Sequence, residues 1–128
     1  MAKTIKISTG AKWENIVGYS RAVRIGNVVE VSGTVAVDGD KIIGESDAYE
    51  QTKFLLAKIK KALEDAGASL NEVIRTRMFV TDISKWNEIG KAHGEYFKDI
   101  KPVTTMVEVK SLISPGLLVE IEASAIIN

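Results

Sequence analysis

Cysteine is absent from the 128-residue chain, and histidine occurs once. These two absences exclude disulfides, thiolate nucleophiles, sulfur-ligated zinc and any multi-histidine metal centre within one chain. Proline is scarce as well: Pro102 and Pro115 are the only two, both in short connections, and no linker, repeat or low-complexity stretch is present. A single domain over residues 1–128 is expected, long enough to bury roughly two-thirds of its unfolded surface. Excess charge is also missing, since 17 Lys and Arg balance 17 Asp and Glu, and neither sign forms a block. That balance argues against nucleic acid or an anionic membrane as partner, because such binding rests on clustered cations. No apolar run approaches the ~20 residues of a membrane span, and "MAKTIKISTG" lacks the apolar core of a signal peptide, so a cytoplasmic protein is expected.

What is present is alternation. "TIKIS" reads as a short strand, and "RAVRIGNVVEVSGTVAV" as a hairpin turning at Gly26-Asn27. A second turn falls at "DGD", with "KIIG" a short strand after it. Asp47 and Glu50 have capping-box spacing, which starts a helix with a buried stripe of Thr52, Leu55, Ile59, Ala62, Leu63 and Ala66, ended by Gly67. "VIRTRMFVTD" alternates again, with Thr76, Met78 and Val80 opposite Arg75, Arg77 and Phe79. Ser84 is placed to cap a second helix to about Lys98, with an apolar stripe of Trp86, Ile89, His93, Tyr96 and Phe97. "PVTTMVEV" and "LLVEIEASAII" close the chain as strands.

The order β-β-β-α-β-α-β-β predicts an α+β fold in which two helices cover one face of a mixed β-sheet. The other face carries Arg77, Phe79, Glu108, Glu120 and Glu122, too polar for a dry core and too apolar for a plain solvent face. Symmetric self-assembly with partly wet clefts is the expectation for such a face.

Single features point less far. His93 sits on an apolar helical stripe, where a packed histidine is the ordinary reading, and Gly90 and Gly94 on the same helix suggest close approach to the sheet. "SGTVAVDGD" has neither the spacing nor the following helix of a phosphate loop. Glu120 and Glu122 share the alternation of a solvated strand face, so pattern alone does not make them chemical.

"GYSRAVRIGNVVEVSGTVAV", "RTRMFVTDISKW", "YFKDIKPVTTMVEV" and "LVEIEASA" together resemble the YjgF/RidA imine and enamine deaminase family over nearly the whole chain. The most specific pieces are Gly18-Tyr19, Ser32-Gly33, "FVTD" and "VEIEA" (Val119 to Ala123). The resemblance implies a chorismate-mutase-like fold, a homotrimer with helices outside, and small-molecule clefts between subunits. It also implies a cofactor-free hydrolase of C=N bonds that converts 2-aminoacrylate or related imines to a 2-oxo acid and ammonia.

Carried over residue by residue, the resemblance places Tyr19, Ser32, Gly33, Pro115 and Glu120 in the cleft, with Tyr19 shaping and polarising it and Glu120 ordering the attacking water. The substrate-holding side departs from the family. Thr104 stands where deaminating members carry a carboxylate-binding arginine, Met106 where a cysteine is common, and Gly90 where an asparagine is often found; Thr105 lies between the first two. No hydroxyl reproduces the bidentate fork of a guanidinium, so poor 2-aminoacrylate turnover is expected unless Arg77 or, second, Arg21 supplies the cation. Three classes stay open: a deaminase of shifted range, a non-catalytic metabolite-binding trimer, and an RNA or chaperone role of the kind described for some similar proteins. No metal is implied.

Overall fold

The computed structural model describes residues 2–128. Its main sheet has the strand order β1-β2-β3-β8-β6-β7, from β1 (Thr4–Ile7), β2 (Ala22–Ile25), β3 (Val28–Thr34), β6 (Val73–Val80), β7 (Val103–Glu108) and β8 (Val119–Ile126). Neighbours are antiparallel except β6 and β7, which run parallel across the intervening helix α2 (Trp86–Phe97). A separate two-stranded hairpin, β4 (Val37–Asp38) with β5 (Lys41–Ile42), precedes helix α1 (Ala48–Asp65). The expected mixed α+β architecture, with two helices on one face, is what the chain adopts.

Local chemistry sets most of these boundaries. Ile25 pairs with Val28 across a two-residue loop in which Gly26 has φ +61°, the conformation that the first central position of a type II′ turn requires. Asp47 accepts from the Glu50 amide and starts α1, but the reciprocal half of the expected capping box is not made, because the Asp47 amide donates to the Gly44 carbonyl instead. The far end closes as a Schellman motif, with Ala68 N donating to Leu63 O, Gly67 N to Glu64 O, and Gly67 at φ +88°. The core lies between this helix and the sheet. Leu55, Leu56, Ile59 and Leu63 are fully buried against Val29, Ile121, Ala123 and Ala125, each large side chain contributing roughly 1.5–3 kcal/mol by leaving water.

Four further expectations need correction. Ser84 does not cap α2: Asp82 caps a 3₁₀ turn, Ile83–Lys85, that leads into the helix, and Ser84 donates to the Asp82 carboxylate through both its amide and its hydroxyl. Trp86 is 57 % exposed and leaves the apolar stripe, which is completed by buried Ala92. Gly90 and Gly94 are not sites of close approach, since a Cβ at either would meet nothing within 4 Å. Glu108 pairs in register with Val80, which places it on the helix-covered face, and its carboxylate accepts from Ile83 N. The open face therefore carries Arg77, Phe79, Glu120 and Glu122 as expected, but not Glu108.

Candidate functional site

Strand β3 holds the decisive irregularity. Val31 pairs with Ala123 and Thr34 with Ile121, so three steps along β3 match two along β8 and one extra residue is inserted at Ser32–Gly33. Side-chain alternation shifts there, and Gly33 meets the Glu120 side chain. A Cβ built on Gly33 would collide with Oε2 of Glu120, so the carboxylate fills space that only glycine leaves free. Glu120 lines a cavity of about 290 Å³ with Gly33, Phe79, Val109, Leu112 and Glu122. Burial pushes its pKa above the ordinary carboxylate value, neighbouring Glu122 adds to the rise, and Arg21 opposes it.

Tyr19 and Ser32 line a second, more polar cavity of about 500 Å³, together with Lys6, Glu14 and Ser20. Tyr19 follows a π-helical turn, Glu14–Gly18, whose position is fixed by the almost fully buried carboxylate of Glu14. Ser8 Oγ, Thr9 Oγ1 and Thr9 N all donate to that carboxylate. Burial alone would raise the Glu14 pKa, but these hydrogen bonds together, helped by Arg21, hold it below the ordinary value. Ser32 is oriented by donating to the Ser20 carbonyl at 2.6 Å.

Arg21 contacts a residue of each cavity. Its Nη1 donates to Gly33 O (2.8 Å) and Thr34 Oγ1 (3.0 Å), its Nη2 to the Tyr19 hydroxyl (3.4 Å), and the guanidinium sits 5.5 Å from the Tyr19 ring centroid. Arg77, the other candidate cation, is engaged elsewhere: its Nε lies 2.6 Å from Glu122 Oε1 in a cross-strand ion pair on the open face.

The remaining residues named from the sequence are dispersed. Thr105 is exposed on the open face, in register with Arg77. Thr104 and Met106 point to the opposite, helix-covered side, in register with buried Thr76 and Met78. Thr104 Oγ1 is 2.8 Å from Thr76 Oγ1, which is 2.9 Å from His93 Nε2, so a short hydroxyl chain joins the β7 edge to a buried imidazole. Burial holds His93 below its ordinary pKa, and its ring packs 4.6 Å from that of Phe97. Pro115 is exposed in the connection before β8, beside Gly116, whose carbonyl accepts from Gln51. One chain thus brings together Tyr19, Ser32, Gly33, Glu120 and Arg21, and does not bring Thr104, Met106 or Pro115 to them.

Sequence reasoning missed the Ser32–Gly33 bulge, the Glu14 anchor and the Thr104–Thr76–His93 chain. The bulge's one mark in the sequence is Gly33 inside a strand pattern; the change of parity, from buried Val29 and Val31 to buried Thr34 and Ala36, shows only in the folded chain. No group of three or more His, Cys, Asp or Glu residues is disposed to hold a metal among the described residues. No helix among them is long and apolar enough to cross a membrane.

This fold, a mixed sheet with two helices on one face, matches known proteins closely. The family model described as Endoribonuclease L-PSP matches residues 9–127. An uncharacterized protein of Streptomyces coelicolor is 38% identical over 120 residues, covering 94% of this chain and 90% of its own length. A RutC family protein of Pyrococcus abyssi is 37% identical over 108 residues, 84% of each chain. A crystal structure from Mycobacterium tuberculosis, described as a member of the YjgF/YER057c/UK114 family, superposes with a TM-score of 0.90 at 50% identity, covering 98% of this chain and all of that one. The chain belongs to this YjgF/L-PSP family.

Proposed function

We propose that the protein is a cofactor-free hydrolytic deaminase of small imines or enamines, acting in clefts between the subunits of a homotrimer whose helices face outward. The observation that carries this reading is the Glu120 carboxylate, half-buried over Gly33 at the edge of an open cavity, with its pKa raised toward working pH. A carboxylate in that state accepts a proton from water as the water oxygen bonds to the C=N carbon. The imine nitrogen takes up a proton, the carbinolamine collapses with cleavage of the C–N bond, and a carbonyl compound and ammonia leave. An enamine substrate first takes a proton at carbon to become the imine. Each step balances without an oxidant, a reductant or a metal.

The open face of the sheet supports the trimer. Its uncovered face exposes Ile25, Val28, Ile126, Val103 and Val107 beside charged groups, and a mixed face of this kind suits a partly wet interface between copies. In such an assembly the Thr104 edge of one subunit can approach the Glu120 cluster of the next, which no single chain achieves. The test is release of pyruvate and ammonia from 2-aminoacrylate generated in situ, measured against a protein-free control, with light scattering on the same sample. Release above the control and a mass near three times 13.9 kDa support the reading. A mass near 13.9 kDa removes the inter-subunit cleft.

A further inference from the structure

Arg21 is fixed at one end of its guanidinium and open at the other. Nη1 carries the strong hydrogen bonds, to Gly33 O and Thr34 Oγ1, and so ties the side chain to the same bulge that seats Glu120. Nη2 has one long contact, from which the Tyr19 hydroxyl accepts at 3.4 Å. Nε donates to nothing in the chain, and since no buried side-chain nitrogen or oxygen goes unpaired among the described residues, it reaches solvent. Nε–H and the adjacent Nη2–H are parallel donors with the spacing of two carboxylate oxygens.

No carboxylate stands within ion-pair distance of this cation among the described residues, where the ion pairs are Lys53–Glu95, Lys61–Asp65 and Arg77–Glu122. The contrast with Arg24 is informative. Arg24 spends Nε on Gly26 O and Nη1 on Ala66 O, as an arginine that braces a turn and a helix end does. Arg21 is braced mainly through Nη1 and leaves Nε unspent, its guanidinium joining Tyr19, which lines one cavity, to Gly33, which lines the other with Glu120.

We propose that Arg21 is the specificity-determining residue of this site, binding the carboxylate of a small 2-imino or 2-oxo acid through its Nε and Nη2 edge while Glu120 faces the reacting carbon. The assignment rests on the Glu120 cluster being the ligand site. It places the anchoring guanidinium on the Glu120 side, so Thr104 no longer excludes carboxylate substrates. The Tyr19 hydroxyl, accepting from Nη2, keeps its own hydrogen available to the second ligand oxygen.

The test reads binding without turnover, so a protein that hydrolyses nothing still answers it. Pyruvate and its uncharged amide, pyruvamide, are titrated calorimetrically into wild type, Arg21→Gln and Arg21→Lys, with the mass of each variant measured by light scattering. Wild type is expected to bind pyruvate at least tenfold more tightly than pyruvamide, as a charge-assisted fork implies. Arg21→Gln is expected to erase that preference by weakening pyruvate at least tenfold more than pyruvamide, with mass unchanged. Arg21→Lys, which keeps a donor for the Gly33 carbonyl, is expected to bind pyruvate roughly tenfold more weakly than wild type and supplies the answer if Arg21→Gln does not fold. Equal affinity of wild type for the two ligands, no pyruvate binding, or undiminished pyruvate binding by the variants overturns the proposal. Loss of the assembly in Arg21→Gln also overturns it, because the fork then serves a carboxylate of a neighbouring copy.

Discussion

The Glu120 carboxylate occupies the space that a side chain on Gly33 would fill. Gly33 lies where β3 carries its extra residue, and Glu120 lies on β8 beside it, so backbone irregularity and carboxylate position are one feature. Gly33→Ala is expected to push Glu120 out of place and to lower kcat/KM by at least ~10-fold, the scale of a misplaced catalytic group. Thermal unfolding followed by circular dichroism should show a folded protein, since the displaced carboxylate has the open cavity to move into. Unchanged kinetics would mean that the position of Glu120 does not matter.

The pH profile should show the same carboxylate. The pKa of Glu120 is raised first by burial and then by Glu122, so the acidic limb of kcat/KM is expected above the ordinary glutamate value of 4.5. Glu122→Gln removes a like charge and should move that limb to lower pH. Arg21→Gln removes an opposing cation and should move it to higher pH. Coincident limbs in all three proteins would assign the titration to another group.

Glu14 makes a stability claim of the opposite sign. Its folded pKa is depressed, so its contribution is fully present above the unfolded value near 4.5 and is lost as pH falls through the folded value. Glu14→Gln is expected to cost about 1.5–3 kcal/mol near neutral pH, the range for hydrogen bonds to a charged group, with the gap to wild type closing in acid. Denaturant melts at several pH values measure this.

Gly94 offers a gain. A Cβ there meets nothing within 4 Å and the backbone is helical, so Gly94→Ala is expected to stabilise α2 by up to ~1 kcal/mol. A raised denaturation midpoint with unchanged slope checks it.

Legibility from sequence followed how strongly each segment is constrained. The α1 stripe, the Gly26-Asn27 turn and the alternation of β6 and β8 were readable because each has one face in the core, which forces a period. Strand β7 did not give its parity. It is a sheet edge in which no residue is fully buried, so nothing in "VTTMVE" distinguishes its two sides, and Glu108 was assigned to the wrong one. Glu120 was readable as an acid on an alternating strand, yet what seats it is the bulge at Ser32–Gly33 on β3, a strand far from β8 in the sequence. Such pairing depends on register between distant segments. Arg21 was visible as a cation near the right glycine, but which of its nitrogens are occupied is a property of the folded chain.

The most direct test of Glu120 as the group that activates water compares wild type with Glu120→Gln on 2-aminoacrylate generated in situ, reading pyruvate release at equal protein concentration. The amide keeps the shape of the side chain over Gly33 and cannot accept the proton. The expected result is a trimer of unchanged mass whose release falls to the protein-free rate. Release by the Glu120→Gln trimer at the wild-type rate would contradict the account and leave Glu120 a scaffold residue.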